Sequence, residues 1–227
     1  MKYIILGLGN FGASLAEKLT EQGNEVIGVD KSMTQVDALK NKISHTICLD
    51  TTDQYTIPGL PLKEVDVVIV AIGENEGANI MTTAIVKNLG VKRLISRSIS
   101  KIHETVLQAI GVDEIVHPEE ETAERWAKKL CLTGVVESFD LDGSFSIVEI
   151  KVPEKYVGMS MEKVGFRNNY DLVVLTTLKA TCETGKFGAK RNYNKVQGVT
   201  AYEHLLLEDE ILVVFGENTN IKKFLKS

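Results

Sequence analysis

The feature that most constrains this chain is GLGNFG, in which Gly7, Gly9 and Gly12 directly follow the apolar run YIIL and open an amphipathic segment. Three glycines at this spacing say little alone. Between a strand and a helix, each has its own task. Gly7 permits the tight turn, Gly9 lets a pyrophosphate approach the backbone, and Gly12 lets the helix lie against the strand. Asn10 and Phe11 complete the loop. Free N–H groups at the helix start face the phosphates. Asp30 ends the next apolar run, VIGVD. A carboxylate there accepts hydrogen bonds from ribose hydroxyls and repels a 2′-phosphate, which disfavours NADP. Lys31 next door softens that preference.

The rest of the first half follows the same alternation. Runs 3–6, 25–29, 46–49, 65–71, 93–96 and 114–116 are short and apolar, as in strands buried on both faces of a parallel sheet. Between them, residues 11–22, 31–41, 75–89 and 100–110 have helical spacing. Their expected apolar stripes are Leu15, Ala16 and Leu19; Val36 and Leu39; Ile80, Ala84, Ile85 and Leu89; and Ile102, Val106, Ala109 and Ile110. Gly23, Gly90 and Gly111 stand where helix ends take positive φ. The third crossover, 51–63, holds Pro58, Gly59 and Pro61, so its helix is short or broken. Strand and helix alternating this often predict an α/β fold, a Rossmann-type doubly wound parallel sheet.

HPEEETAERWAKKL then begins a further helical segment, with Pro118 in its first turn and Ala123, Trp126, Ala127 and Leu130 on one stripe. The six-strand sheet has no evident need for it, so it either crosses to another subunit or links to a second domain. From residue 135 the pattern changes. Strands are expected at 138–141, 146–152, 172–178 and 210–215, a hairpin turn at Asp142–Ser144, a short helix starting at 158–161 and another at 218–225. The organisation is a nucleotide-binding domain, 1–134, with a crossover helix at 119–131, and a small α+β lobe, 135–227.

A formal net charge of -5 argues against a general nucleic-acid binder, which needs a basic face to replace phosphate counterions. Cys48, Cys131 and Cys182 are far apart and odd in number, which argues against a disulfide scaffold or zinc site. Cys48, inside an apolar run, is expected in the core. No run of about 18 apolar residues occurs, so no membrane-spanning helix is expected.

Asp50 and Thr51 follow the third strand, Ile72, Gly73 and Glu74 follow the fourth, and Arg97 ends the fifth. Ligands of such sheets sit at the carboxyl ends of the strands. Spacing alone leaves ligand contact and simple loop chemistry equally open for each. A dehydrogenase would also need an acid/base near the nicotinamide. The four histidines, His45, His103, His117 and His204, form no His/Asp or His/Glu pair at a supporting spacing.

GLGNFG, the end of VIGVD, VVIVAIGENEGANIMTTAIVK and GVDEIVHPEEE together resemble the RCK domain, the regulator of potassium conductance. The likeness is to the cytosolic gating subunits of Trk/Ktr-type potassium transporters. EDEILVVFGENTNIKKFL resembles the end of that family's C-lobe. The resemblance implies an N-lobe that binds ATP, ADP, NAD or NADH. It implies homodimers paired through the crossover helix and an octameric ring docked on a membrane-embedded potassium transporter. Carried over by position, Asp30 holds the ribose, and Gly7, Gly9 and Gly12 shape the phosphate loop. Asp50, Thr51, Ile72, Gly73 and Glu74 line the adenosine side, and Arg97 faces phosphate. Glu119 matches a position that helps bind a cation between subunits in some members. Asn10 stands where many ATP-gated members have Arg, which puts a preference for ATP in question. The stretch near Val199, Thr200 and Ala201 lacks the prolines of lobes that bind cyclic di-AMP, so that ligand is not expected. Two other readings stay open: an NAD-dependent dehydrogenase with a small second domain, and a free-standing nucleotide sensor with another partner.

Overall fold

The computed structural model describes residues 1–131, 134–184 and 190–226. The first half contains β1 (Lys2–Leu6), α1 (Asn10–Glu21), β2 (Glu25–Asp30), α2 (Met33–Leu39), β3 (His45–Cys48), β4 (Val67–Val70), α3 (Glu76–Asn88), β5 (Leu94–Arg97), α4 (Lys101–Ile110) and β6 (Glu114–Val116). The six strands are parallel, in the order β3-β2-β1-β4-β5-β6. This is the doubly wound order, with its switch point between β1 and β4. In the third crossover only a 3-10 turn forms, at Ile57–Gly59, with Pro58 at its start.

Successive strand side chains point to opposite faces. Ile4, Leu6, Val68 and Val70 enter one core, with Val86 of α3. Ile5, Val67 and Ile69 enter the other, with Ala16 of α1 and Leu39 of α2. Both faces are therefore buried, which is why the central segments, residues 4–6 and Val67–Val70, are apolar without a break. Cys48 is exposed, not in the core. It ends β3, the edge strand, where one side of the sheet has no neighbour.

Two helices are turned from their expected faces. The buried residues of α3 are Asn79, Thr82, Thr83 and Val86, while Ile80, Ala84, Ile85 and Leu89 are only half-buried. In α4 the buried residues are His103 and Leu107, and Ile102 is 80% exposed. Hydrogen bonds from Asn79, Thr82, Thr83 and His103, described below, draw these polar faces inward.

α5 (Pro118–Cys131) leaves Trp126 and Leu130 exposed, at 51% and 77%. By internal contacts the chain divides into two units, Met1–Glu120 and Glu121–Ser227. The second holds β7 (Val135–Asp140), β8 (Phe145–Lys151), α6 (Met161–Val164), α7 (Phe166–Tyr170), β9 (Val173–Thr184), β10 (Lys190–Val196), β11 (Glu210–Glu217) and α8 (Asn218–Lys226). Its sheet is antiparallel, in the order β10-β9-β11-β8-β7. β10 was not expected: KRNYNKV carries little apolar alternation, and it pairs at an edge where only one neighbour is required. One face of the sheet, through Val148, Ile150, Leu212 and Val214, is covered by Met161, Val164, Phe166, Ile221 and Phe224. Phe224 anchors this core, with Tyr156, Phe166 and Tyr170 at ring-centroid distances of 5.3, 5.2 and 5.1 Å.

Candidate functional site

The glycine loop leaves β1 through Gly7, whose φ of 98° lies in the left-handed region. Gly7 N–H donates to Val29 O at 2.8 Å, which ties the turn to β2. A β-carbon on Gly12 would collide with the Gly7 carbonyl, so α1 can lie this close only with glycine there. Gly9 differs: its φ of -66° suits any residue, and a β-carbon would meet nothing within 4 Å. Gly9 caps α1 without a side-chain hydrogen bond, and the first turn has no acidic residue. The N–H groups of that turn and the positive end of the helix are thus left for an anion.

Asp30, at the end of β2, closes the other side. Its Oδ2 accepts the Leu8 N–H at 2.7 Å and its Oδ1 accepts the Ser32 N–H at 2.8 Å. A carboxylate has about four acceptor sites, so both oxygens keep capacity for ribose hydroxyls. Lys31 and Asn10 are exposed beside this group.

Beyond the switch point, Arg97 is the organising side chain. It is 14% exposed and its guanidinium lies against Gly73, where a β-carbon would stand. Its Nη1 donates to Ala71 O at 3.5 Å, and its cationic carbon stands 5.8 Å from the centroid of the Phe11 ring. Its Nη2 donates to the Glu119 carboxylate. Phe11 thereby joins the glycine loop to the Arg97 cluster. Ile72 is half-buried and Glu74 exposed on the same β4 loop. Asp50 accepts the Thr52 N–H at 2.9 Å and the Thr52 hydroxyl at 2.7 Å, and these bonds hold its carboxyl below the usual carboxylate range. Thr51 is buried and bonded to Thr82.

A cleft of about 360 Å³ opens beside Gly73, Arg97 and Glu119, at the carboxyl ends of β5 and β6. His117 lines it, with Nε2 3.4 Å from Glu104 Oε2, and in the second unit His204 Nε2 lies 2.9 Å from Glu210 Oε2. The sequence expectation of no such pair is therefore corrected: Glu104 lies on α4 and His117 just past β6, and a turn brings His204 back to Glu210 at the start of β11, contacts that linear spacing does not show. Among the described residues, no group of three or more His, Cys, Asp or Glu side chains could hold a metal ion.

A buried polar network below this cleft went unread in the sequence. Asn79 Nδ2 donates to Ile72 O at 2.8 Å and to Arg97 O at 3.1 Å. Those two carbonyls fix the amide, so Oδ1 faces Ser96 Oγ at 3.1 Å and His103 Nε2 at 3.1 Å. An amide oxygen only accepts, so His103 carries its proton on Nε2. His103 Nδ1 is buried without a hydrogen bond, and burial lowers the pKa of this imidazole below its usual range. The available signal was polar residues at 79, 82 and 83, an i, i+3, i+4 set on a helix between two buried strands.

Residues 3–118 match the TrkA-N domain family. The chain belongs to the TrkA-N domain family. This TrkA-N chain is 33% identical over 225 residues to the Ktr system potassium uptake protein C of Bacillus subtilis (strain 168), covering 99% of this chain and 96% of that protein. It is 28% identical over 223 residues to the Ktr system potassium uptake protein A of the same organism, covering 98% and 95%. Among solved structures it is similar in fold to a GsuK channel bound to NAD. There the TM-score is 0.64 at 18% identity, over 100% of this chain and 39% of the channel chain. The likeness to the Ktr proteins covers both units, so the second lobe is shared with them and is no unrelated addition.

Proposed function

We propose that this protein is the cytosolic, nucleotide-binding gating subunit of a potassium uptake transporter. The observation that carries the reading is the glycine loop, where Gly9 leaves open space above an uncapped helix start and Asp30 closes the opposite side. Near full-length similarity to two Ktr potassium uptake proteins supplies the transporter context. The NAD bound by the GsuK channel supports a dinucleotide as one ligand class. The ligand is NAD, NADH, ATP or ADP, and the uncharged Asn10 gives no reason to favour a triphosphate.

In this reading Gly7, Gly9, Asn10, Phe11 and Gly12 cradle phosphate, Asp30 with Lys31 holds the ribose, and Arg97 faces phosphate. Asp50, Thr51, Ile72, Gly73 and Glu74 line the adenosine side. The functional lobes divide at 134/135, with α5 as the helix that crosses between two copies. Its exposed Trp126 and Leu130 are the apolar face such pairing would bury. Dimers build an octameric ring that sits on the inner face of the membrane through its transporter partner. Glu119, at the start of α5, would meet a cation there only after leaving Arg97.

The mechanism is a shift between two ring shapes, and only differential affinity moves it. A tenfold preference per site supplies about 1.4 kcal/mol. Over eight sites that sums to on the order of 10 kcal/mol, enough to invert a two-state population. The chain itself catalyses nothing in this reading. One observation favours a rival, an NAD-dependent dehydrogenase: the His117–Glu104 pair on the cleft wall.

Calorimetric titration with ATP, ADP, NAD and NADH, on the protein and on Asp30→Ala, tests the proposal. Binding that is lost in a folded Asp30→Ala, with no NADH turnover, is the expected result. Binding by none of the four would end it, and NADH turnover would move the reading to the dehydrogenase.

A further inference from the structure

Asn79, Thr82 and Thr83 of α3 are fully buried between a helix and a sheet, where apolar side chains are the usual occupants. Two of them reach backbone carbonyls at the ends of three different strands. Thr82 Oγ1 donates to Thr51 O at 2.9 Å, just beyond β3, and the Thr51 hydroxyl lies 3.1 Å from Thr82 Oγ1. Asn79 donates to Ile72 O, just beyond β4, and to Arg97 O, at the end of β5. Thr83 and Ser96, 3.1 Å apart, and His103 of α4 surround the Asn79 oxygen and fix its orientation. Past its last ladder bond, a strand end has nothing in the sheet to hold it. A buried carbonyl there needs a donor, or it turns to water.

We propose that this polar stripe is the positioning device of the nucleotide cleft. It fixes where Thr51, Gly73 and Arg97 stand before a ligand arrives, and so sets nucleotide affinity. The inference rests on the nucleotide reading above. A purely apolar α3 would pack equally well against the sheet, but would leave three carbonyls without donors and the cleft wall free to drift. Drift on the order of 0.5 Å is enough to spoil a binding constellation.

Two variants of nearly equal shape separate positioning from packing: Thr82→Val removes one hydroxyl, and Asn79→Leu removes the amide. Thr82→Ser restores the hydroxyl. Each is measured by thermal melt, by hydrogen exchange without ligand, and by calorimetry with ATP, ADP, NAD and NADH. Thr82→Val is expected to speed exchange at residues 49–53, and Asn79→Leu at 72–75 and 97–100. Both should weaken nucleotide binding on the order of tenfold, the worth of one or two positioning hydrogen bonds. Thr82→Ser should match the unsubstituted protein. Should Asn79→Leu fail to fold, Thr82→Val and Thr82→Ser carry the comparison. Unchanged local exchange overturns the positioning role whatever the protein binds. Unchanged affinity in variants of a protein that does bind nucleotide overturns it as well. An unsubstituted protein that binds none of the four ends the nucleotide reading, and the affinity claim with it, while exchange still decides whether the clamp exists.

Discussion

The guanidinium of Arg97 lies against Gly73, in the volume that a β-carbon there would fill. The two residues sit at the ends of neighbouring parallel strands. Gly73→Ala is therefore expected to push Arg97 out of the cleft wall. Arg97 is long and flexible, so the fold should tolerate this, with a melting temperature within about 2 °C of the unsubstituted protein. Nucleotide affinity should fall about tenfold, near the value of one charge-assisted contact. Calorimetry beside a thermal melt checks both; full affinity would remove Arg97 from the ligand site.

His103 is expected to make the first unit acid-sensitive. Its folded pKa is lowered by burial, so the folded state favours the neutral ring. That preference is fully present above the ordinary histidine value of about 6.5. It is lost as pH falls below that value, because the unfolded chain then binds the proton more readily. Around the ring stand Asn79, which accepts its Nε2–H, and the charge of Glu76, which partly offsets the burial. Between pH 7.5 and 5.5 the melting temperature should drop by roughly 2–4 °C, and His103→Gln should flatten that limb. Equal acid sensitivity in both proteins would assign it elsewhere.

In the second unit, Glu137 and Glu149 face each other across β7 and β8. Burial, then the nearby Glu137 charge, raises the Glu149 pKa. A carboxyl raised in this way penalises the folded state once pH exceeds its unfolded value, and the penalty disappears in acid. Glu149→Gln is expected to stabilise the protein at pH 7 by about 0.5 kcal/mol, the cost of like charges directly opposite in a sheet. The gain should vanish near pH 4. Chemical denaturation at the two pH values reads it; no gain at pH 7 would mean the pair is relaxed by solvent.

If copies of the chain pair as proposed, the apolar stripe of α5 should be covered in the pair. Trp126 and Leu130 are half or more exposed in the single chain. Leu130→Glu is expected to shift the protein to smaller species in sedimentation velocity, with the far-ultraviolet spectrum unchanged. An unaltered sedimentation profile would remove α5 from any contact between copies.

The sheet was legible because a strand segment buried on both faces has to be apolar, as β4 is throughout and as residues 4–6 of β1 are. The loop glycines were legible because steric demands at Gly7 and Gly12 exclude other residues. The inner faces of α3 and α4 were not. Periodicity ranks positions by apolarity, and there hydrogen bonding outweighed it, so Asn79 and His103 went in while Ile102 stayed out. β10 escaped for the opposite reason, since an edge strand in water has little apolar pattern to show. The clustering of Arg97, Gly73, Phe11 and Glu119 joins four separate parts of the chain, which no local spacing encodes.

Gly9 stands apart from its two neighbours in the motif. Gly7 and Gly12 are demanded by the chain itself: one by its backbone angle, the other by the carbonyl it nearly touches. Among the described residues, nothing makes that demand at residue 9. On the proposed reading, its smallness serves the ligand. A descendant of this chain that no longer met its ligand would be free to change residue 9 while residues 7 and 12 stayed fixed. On that reading, the residue kept at this one position would tell relatives that still bind a nucleotide from those that have kept only the shape.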